Sequence, residues 1–186
     1  MKNKSEQGFT YIDVMVAVVI LSVGILALLA AITGAVVQSR GQKEQLDAKQ
    51  LATSTMEAIM AVKETKTTAT SLAFGWERVG NVGSNPNAGG NPQGIFVNGM
   101  QPVRINPGLD QIVGTADDSG LPVPGFARRI AITDQCDPER PSQNCAIPGN
   151  FDVKVRLVVI TVTYSVGTIQ RQEQMTTVLT DYAGTN

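Results

Sequence analysis

The 186-residue chain contains no histidine. That excludes nucleophile activation by imidazole and metal sites built on imidazole. A phosphate-cradling glycine loop and a metal-hydrolase motif are missing too, so the chain is not expected to be an enzyme. Charge of neither sign dominates: 15 basic and 16 acidic residues leave a net charge of −1, which is no electrostatic footprint for nucleic acid. Proline is absent between Phe9 and Asn85, so nothing in that stretch forbids one long helix. Charge is absent over a narrower window, the 24 residues 14–37. That last absence is the most informative.

A bilayer core is spanned by about 20 apolar residues in a helix, and residues 14–37 are long enough. Ser22, Gly24, Thr33 and Gly34 interrupt the run, but small residues are tolerated in membrane helices. Lys2 and Lys4 precede it, which predicts a cytoplasmic N-terminus and everything after Arg40 outside. An ordinary signal anchor would look similar. A secretory signal peptide cut near Thr33-Gly34-Ala35 is a further alternative, although its apolar core of roughly 7–15 residues would be shorter than this one. Asp13 stands at the mouth of the run. An ionised carboxylate entering lipid is costly unless a positive group meets it, and the simplest such group is an amine made by cutting the chain before Phe9. The plainer alternative is that Asp13 only marks the membrane boundary.

The decapeptide Gly8-Phe9-Thr10-Tyr11-Ile12-Asp13-Val14-Met15-Val16-Ala17 resembles the class III leader and mature start of type IV pilins and of the pseudopilins of type II secretion. The resemblance implies that residues 1–8 are a leader, that a prepilin peptidase cuts after Gly8, and that Phe9 becomes an N-methylated mature terminus. It also implies an assembly role for Asp13, which falls where the family usually has glutamate: pairing with a neighbouring subunit's amine. Aspartate keeps the charge but is one methylene shorter. Ser22-Val23-Gly24-Ile25-Leu26, Leu51-Ala52 and Met56-Glu57-Ala58-Ile59 are most similar to minor pilins of the PilV type, whose secretion counterpart is the minor pseudopilin GspI. The implied partners are the prepilin peptidase, other minor and major pilins, an inner-membrane assembly platform, and membrane lipid before assembly. The implied location is the bacterial inner membrane, then an extracellular pilus or a periplasmic pseudopilus. A single-span exported protein that binds a ligand and forms no filament is the alternative from another class.

The expected fold is α+β, a long N-terminal helix packed on a C-terminal antiparallel sheet of about four strands. Residues 9–37 would form the membrane or filament-core part of the helix and residues 38–66 its amphipathic continuation. In that continuation Leu46, Leu51, Ala52, Met56, Ile59 and Met60 recur near helical spacing. Residues 67–186 would form a β-rich head with a loop-rich 80–125 segment, the natural place for an adhesive surface. Asn98-Gly99 between two apolar runs predicts a hairpin of 95–97 with 100–105, with Pro102 confining the second run to a sheet edge. Strands are expected at 126–134, 152–166 and 168–180. In the second, Lys154 and Arg156 should face away from Val153, Val155, Leu157 and Val159, and the strand should end buried on both sides.

Two further constellations carry chemistry. Asp110, Asp117 and Asp118 around Gly114 offer the oxygen ligands calcium prefers, without EF-hand spacing; a solvated acidic turn is the other reading, and no other cofactor is expected. Cys136 and Cys145 enclose a polar, proline-containing loop, and outside the cytoplasm a disulfide is the default. Two free thiols are the alternative, and a zinc site would lack two ligands.

Overall fold

The computed structural model describes residues 10–64, 75–87, 89–140, 143–146 and 152–181. It divides into two compact units, Met1–Lys43 and Glu44–Asn186. One helix, α1 (Tyr11–Glu64), contributes to both. Its 54 residues run on without a break, as the missing prolines allow, and Gly24 and Gly34 lie in open space.

In the second unit α1 lies against a four-stranded sheet. The strands β1 (Gln101–Asn106), β2 (Ser119–Gln135), β3 (Val155–Val166) and β4 (Ile169–Thr180) follow one another in space in the order β1-β2-β3-β4, every pair antiparallel. The expected α+β layout is therefore present. The β3–β4 hairpin closes through Gly167 and Thr168, with Gly167 at φ 64° in the first loop position, where a tight two-residue turn of this hand calls for glycine. β1 is an edge strand, as Pro102 requires.

The core joins one stripe of α1 to one face of the sheet. Ala48, Ala52, Met56, Ile59 and Val62 supply the stripe; Ile130, Val158, Ile160, Val162 and Tyr164 supply the sheet face. Small Ala48 and Ala52 let the backbone approach closely, and Thr55 joins the stripe by donating its hydroxyl to Leu51 O at 2.7 Å. Leu46 and Met60 were expected on this stripe but are 56% and 42% exposed. Helical periodicity is read at about 100° per residue, and two positions at the margin of the stripe rotate out of contact.

Four strand expectations need correction. The Asn98-Gly99 hairpin does not form. Phe96 is wholly buried instead, its amide donating to Gly80 O at 3.0 Å and its carbonyl accepting from Val82 N at 2.8 Å, while 101–106 pairs with β2. Burying one phenylalanine outweighs a local turn preference of a fraction of its worth. In β3, Arg156 does not face solvent: it shares the core face with Val158, Ile160, Val162 and Tyr164 and is 3% exposed. The opposite face of β3 stays half-buried along its length, so the strand never becomes buried on both sides. β2 also begins seven residues earlier than expected, at Ser119 rather than 126, in an irregular stretch where its register with β1 shifts twice.

Candidate functional site

The first candidate is the start of α1. Gly8 and Phe9, the expected processing residues, lie outside the described residues. Asp13 is described, and its neighbour Thr10 proves to be its partner. The Thr10 amide and hydroxyl both donate to Asp13 Oδ2, at 3.0 and 2.7 Å, and the Asp13 amide donates back to Thr10 Oγ1 at 3.3 Å. This is a reciprocal capping box that satisfies two of the amides a helix start leaves orphaned. The Thr-x-x-Asp spacing of Thr10 and Asp13 is the sequence signal of such a cap. Among the described residues Oδ1 of Asp13 accepts no hydrogen bond, so the cap occupies one oxygen and leaves the other open.

Below that cap the helix is bare. Every residue from Tyr11 to Arg40 is exposed, with Leu26, Leu28 and Leu29 between 56% and 66%. The two hydroxyls in the run turn inward: Ser22 donates to Val18 O at 2.7 Å and Thr33 to Leu29 O at 2.8 Å. A helix that satisfies its own hydroxyls offers lipid or another helix an almost wholly apolar surface. The helix is long and apolar enough to cross a membrane.

The second candidate is the acidic turn. Asp110 Oδ1 accepts from the Ile112 amide at 2.8 Å. Asp117 Oδ2 accepts from the Leu109 and Asp110 amides, and its Oδ1 takes the Thr115 hydroxyl at 2.6 Å. That hydroxyl holds the Asp117 carboxyl below the usual carboxylate range. Asp118 Oδ2 accepts from the Gly114 amide and from Arg128 Nη2, both at 2.9 Å. Burial raises the Asp118 carboxyl, opposed by that amide and by the Arg128 charge. The three carboxylates thus build the loop. Among the described residues no three acidic, cysteine or histidine groups are brought together to hold a metal ion. The solvated-turn reading also needs amendment at one position, because the Asp118 side chain is only 13% exposed and is locked to a buried guanidinium.

The third is the cysteine pair. Cys136 and Cys145 are disulfide-bonded with Cα atoms 5.6 Å apart, which sets the free-thiol and zinc alternatives aside. The bridge closes a loop in the connection from β2 to β3.

What the sequence reading missed are three buried polar anchors that tie the 75–118 segment to the sheet. Arg156 donates from Nε to Asp134 at 2.9 Å and from Nη1 to the carbonyls of Trp76 and Val79, and its guanidinium lies 4.3 Å from the centre of the Trp76 ring. Asn81 donates to Ile130 O at 2.9 Å and to Phe96 O, and accepts from the Ile132 amide at 2.8 Å. Arg128, 6% exposed, bridges Asp118 to the Thr55 hydroxyl of α1. Strand parity could have found both arginines: Arg128 shares its parity with Ile130, and Arg156 with Val158 and Ile160. No family model, no curated protein and no solved structure matches the chain.

Proposed function

We propose that the chain is a minor type IV pilin. It is made with a cytoplasmic leader, held by one membrane helix, cut after Gly8, and then incorporated into a pilus or used to prime its assembly. The observation that carries this reading is the bare apolar stretch of α1, capped at its mouth by a carboxylate with one oxygen that accepts no hydrogen bond among the described residues. Such a surface needs an apolar environment from outside the chain: lipid first, then the packed helices of a filament. The mature amine of a neighbouring subunit is the partner that would make Asp13 tolerable in that bundle, since opposite charges attract strongly where water is excluded. Thr10 holds the carboxylate in place while Oδ1 meets the amine. The head then projects from the filament, cross-braced by its disulfide for an oxidising compartment.

Mass spectrometry of the mature N-terminus, from cells with the native processing machinery, tests this directly. A peptide beginning at methylated Phe9 is expected; an intact Met1, or a start near Val36, would overturn the reading. Asp13→Ala should leave processing intact and impair incorporation, whereas normal incorporation of that variant would remove the charge-pairing mechanism.

A further inference from the structure

The head contains a cavity of about 310 Å³ between β1, the turn at 114–118 and the core-facing side of β2. Its walls set apolar Pro102 and Ile130 beside Arg104, Asp118 and Arg128, with the Gln101 amide among them. That size stands at the small end of the range for ligand cavities, and the lining is more polar than is usual for them, which suits a polar ligand.

The polar groups are held in place. Arg104 Nη1 donates to Gly120 O at 2.7 Å across the β1–β2 pair, and the residue is otherwise exposed, with further guanidinium donors to offer. Arg128 is clamped between Thr55 Oγ1 at 3.1 Å and Asp118 at 2.9 Å, and so it presents a positive charge that cannot swing away. Asp118 pairs with that charge through Oδ2. Its Oδ1 is buried and takes no hydrogen bond among the described residues, so one acceptor on the cavity wall is unfilled. Two guanidinium groups and one carboxylate thus line the cavity, which leaves a balance of one positive charge on its wall. A purely structural Arg128–Asp118 pair would explain neither the cavity nor the second arginine on its wall.

We propose that this cavity binds a small carboxylate-bearing ligand of the size of a sugar acid, with Arg104 pairing the ligand carboxylate, Arg128 supplying the fixed positive field and Gln101 hydrogen-bonding a ligand hydroxyl. Arg is suited to the task because its planar donors match a carboxylate two at a time. The site belongs to the head alone, so it stands or falls independently of filament assembly.

The test is isothermal titration of the purified full-length chain in mild detergent with D-glucuronate, D-glucose and acetate. Glucuronate should bind, glucose on the order of tenfold more weakly or not at all, and acetate more weakly than glucuronate. Arg104→Gln should weaken glucuronate binding by roughly tenfold or more, and Arg104→Lys should restore part of it. Arg104 is exposed, so both variants are expected to fold, and unchanged Trp76 fluorescence and an intact disulfide would verify it. No glucuronate binding by the folded wild-type chain would overturn the proposal. So would equal binding of glucose, equal binding of acetate, or binding indifferent to Arg104→Gln.

Discussion

Two stretches of one helix differ in what holds them. Residues 14–37 are exposed along their whole length and carry no charge. In residues 44–64, by contrast, five apolar side chains of 4% exposure or less are buried by the protein's own sheet. The backbone is the same α-helix in both. What differs is the side-chain pattern: large aliphatics all round in the first, and in the second a narrow stripe that begins with small alanines and is flanked by charge. A helix apolar on every face needs a solvent that is itself apolar, while a striped one needs a single partner surface. The first stretch is long and apolar enough to cross a membrane, and the second is buried by the chain's own sheet.

That contrast can be broken most severely where the head depends on one buried polar group. Arg156→Ala removes the guanidinium that holds the Trp76 and Val79 carbonyls and covers the indole. It should cost about 3–5 kcal/mol, because two hydrogen bonds from a charged donor are lost and the carbonyls keep only the longer bonds from the Val79 amide and the Asn85 side chain. Urea unfolding of the full chain in mild detergent would show it, followed by the fluorescence of Trp76, the chain's single tryptophan. A loss below about 1 kcal/mol would mean that the segment is held by packing alone.

Next in size is a matched pair on α1 itself. Ile59 is fully buried, and Ile59→Ala should destabilise the head by about 2–5 kcal/mol in the same assay. Leu29→Ala, in the bare stretch, should change head stability by less than about 0.5 kcal/mol. Similar effects at the two sites would erase the distinction between the stretches. The disulfide sharpens it from the other side. Replacing Cys136 and Cys145 together with serine should lower head stability by about 2–3 kcal/mol, as reduction of the wild-type bridge should, since the cross-link closes a short loop.

The smallest effect expected is a slope with pH. Folded Asp118 keeps its proton to higher pH than it does in the unfolded chain, because burial raises its carboxyl. The folded state therefore binds more protons in that window, and stability falls as pH rises through it. Asp117 works in the opposite sense. Its lowered carboxyl contributes stability above the unfolded value, and that is lost as pH falls through the folded one. Asp118→Asn should remove the first slope and leave the second, so that stability measured between about pH 3 and 7 rises more steadily than in wild type. An unchanged profile would mean that Asp118 titrates alike in both states.

Much of this molecule was legible before any coordinates. Local rules determined the long helix, because missing prolines and an uncharged run act within a few residues of where they stand. They also determined the edge position of Pro102, the break between the last two strands and the cysteine bridge, each again a matter of local covalent chemistry or short spacing. The tertiary structure alone decided the rest. Asn98-Gly99 lost its hairpin because Phe96 found a core built from segments distant in sequence. Arg128 and Arg156 went inward because Asp118, Asp134 and the carbonyls of Trp76 and Val79 were waiting there, and only partners of that kind make a buried guanidinium bearable. The three aspartates became loop acceptors because the amides of 109, 110, 112 and 114 converge on them. Spacing in a sequence reports what one residue asks for; whether the request is met depends on groups far along the chain that only the fold brings near.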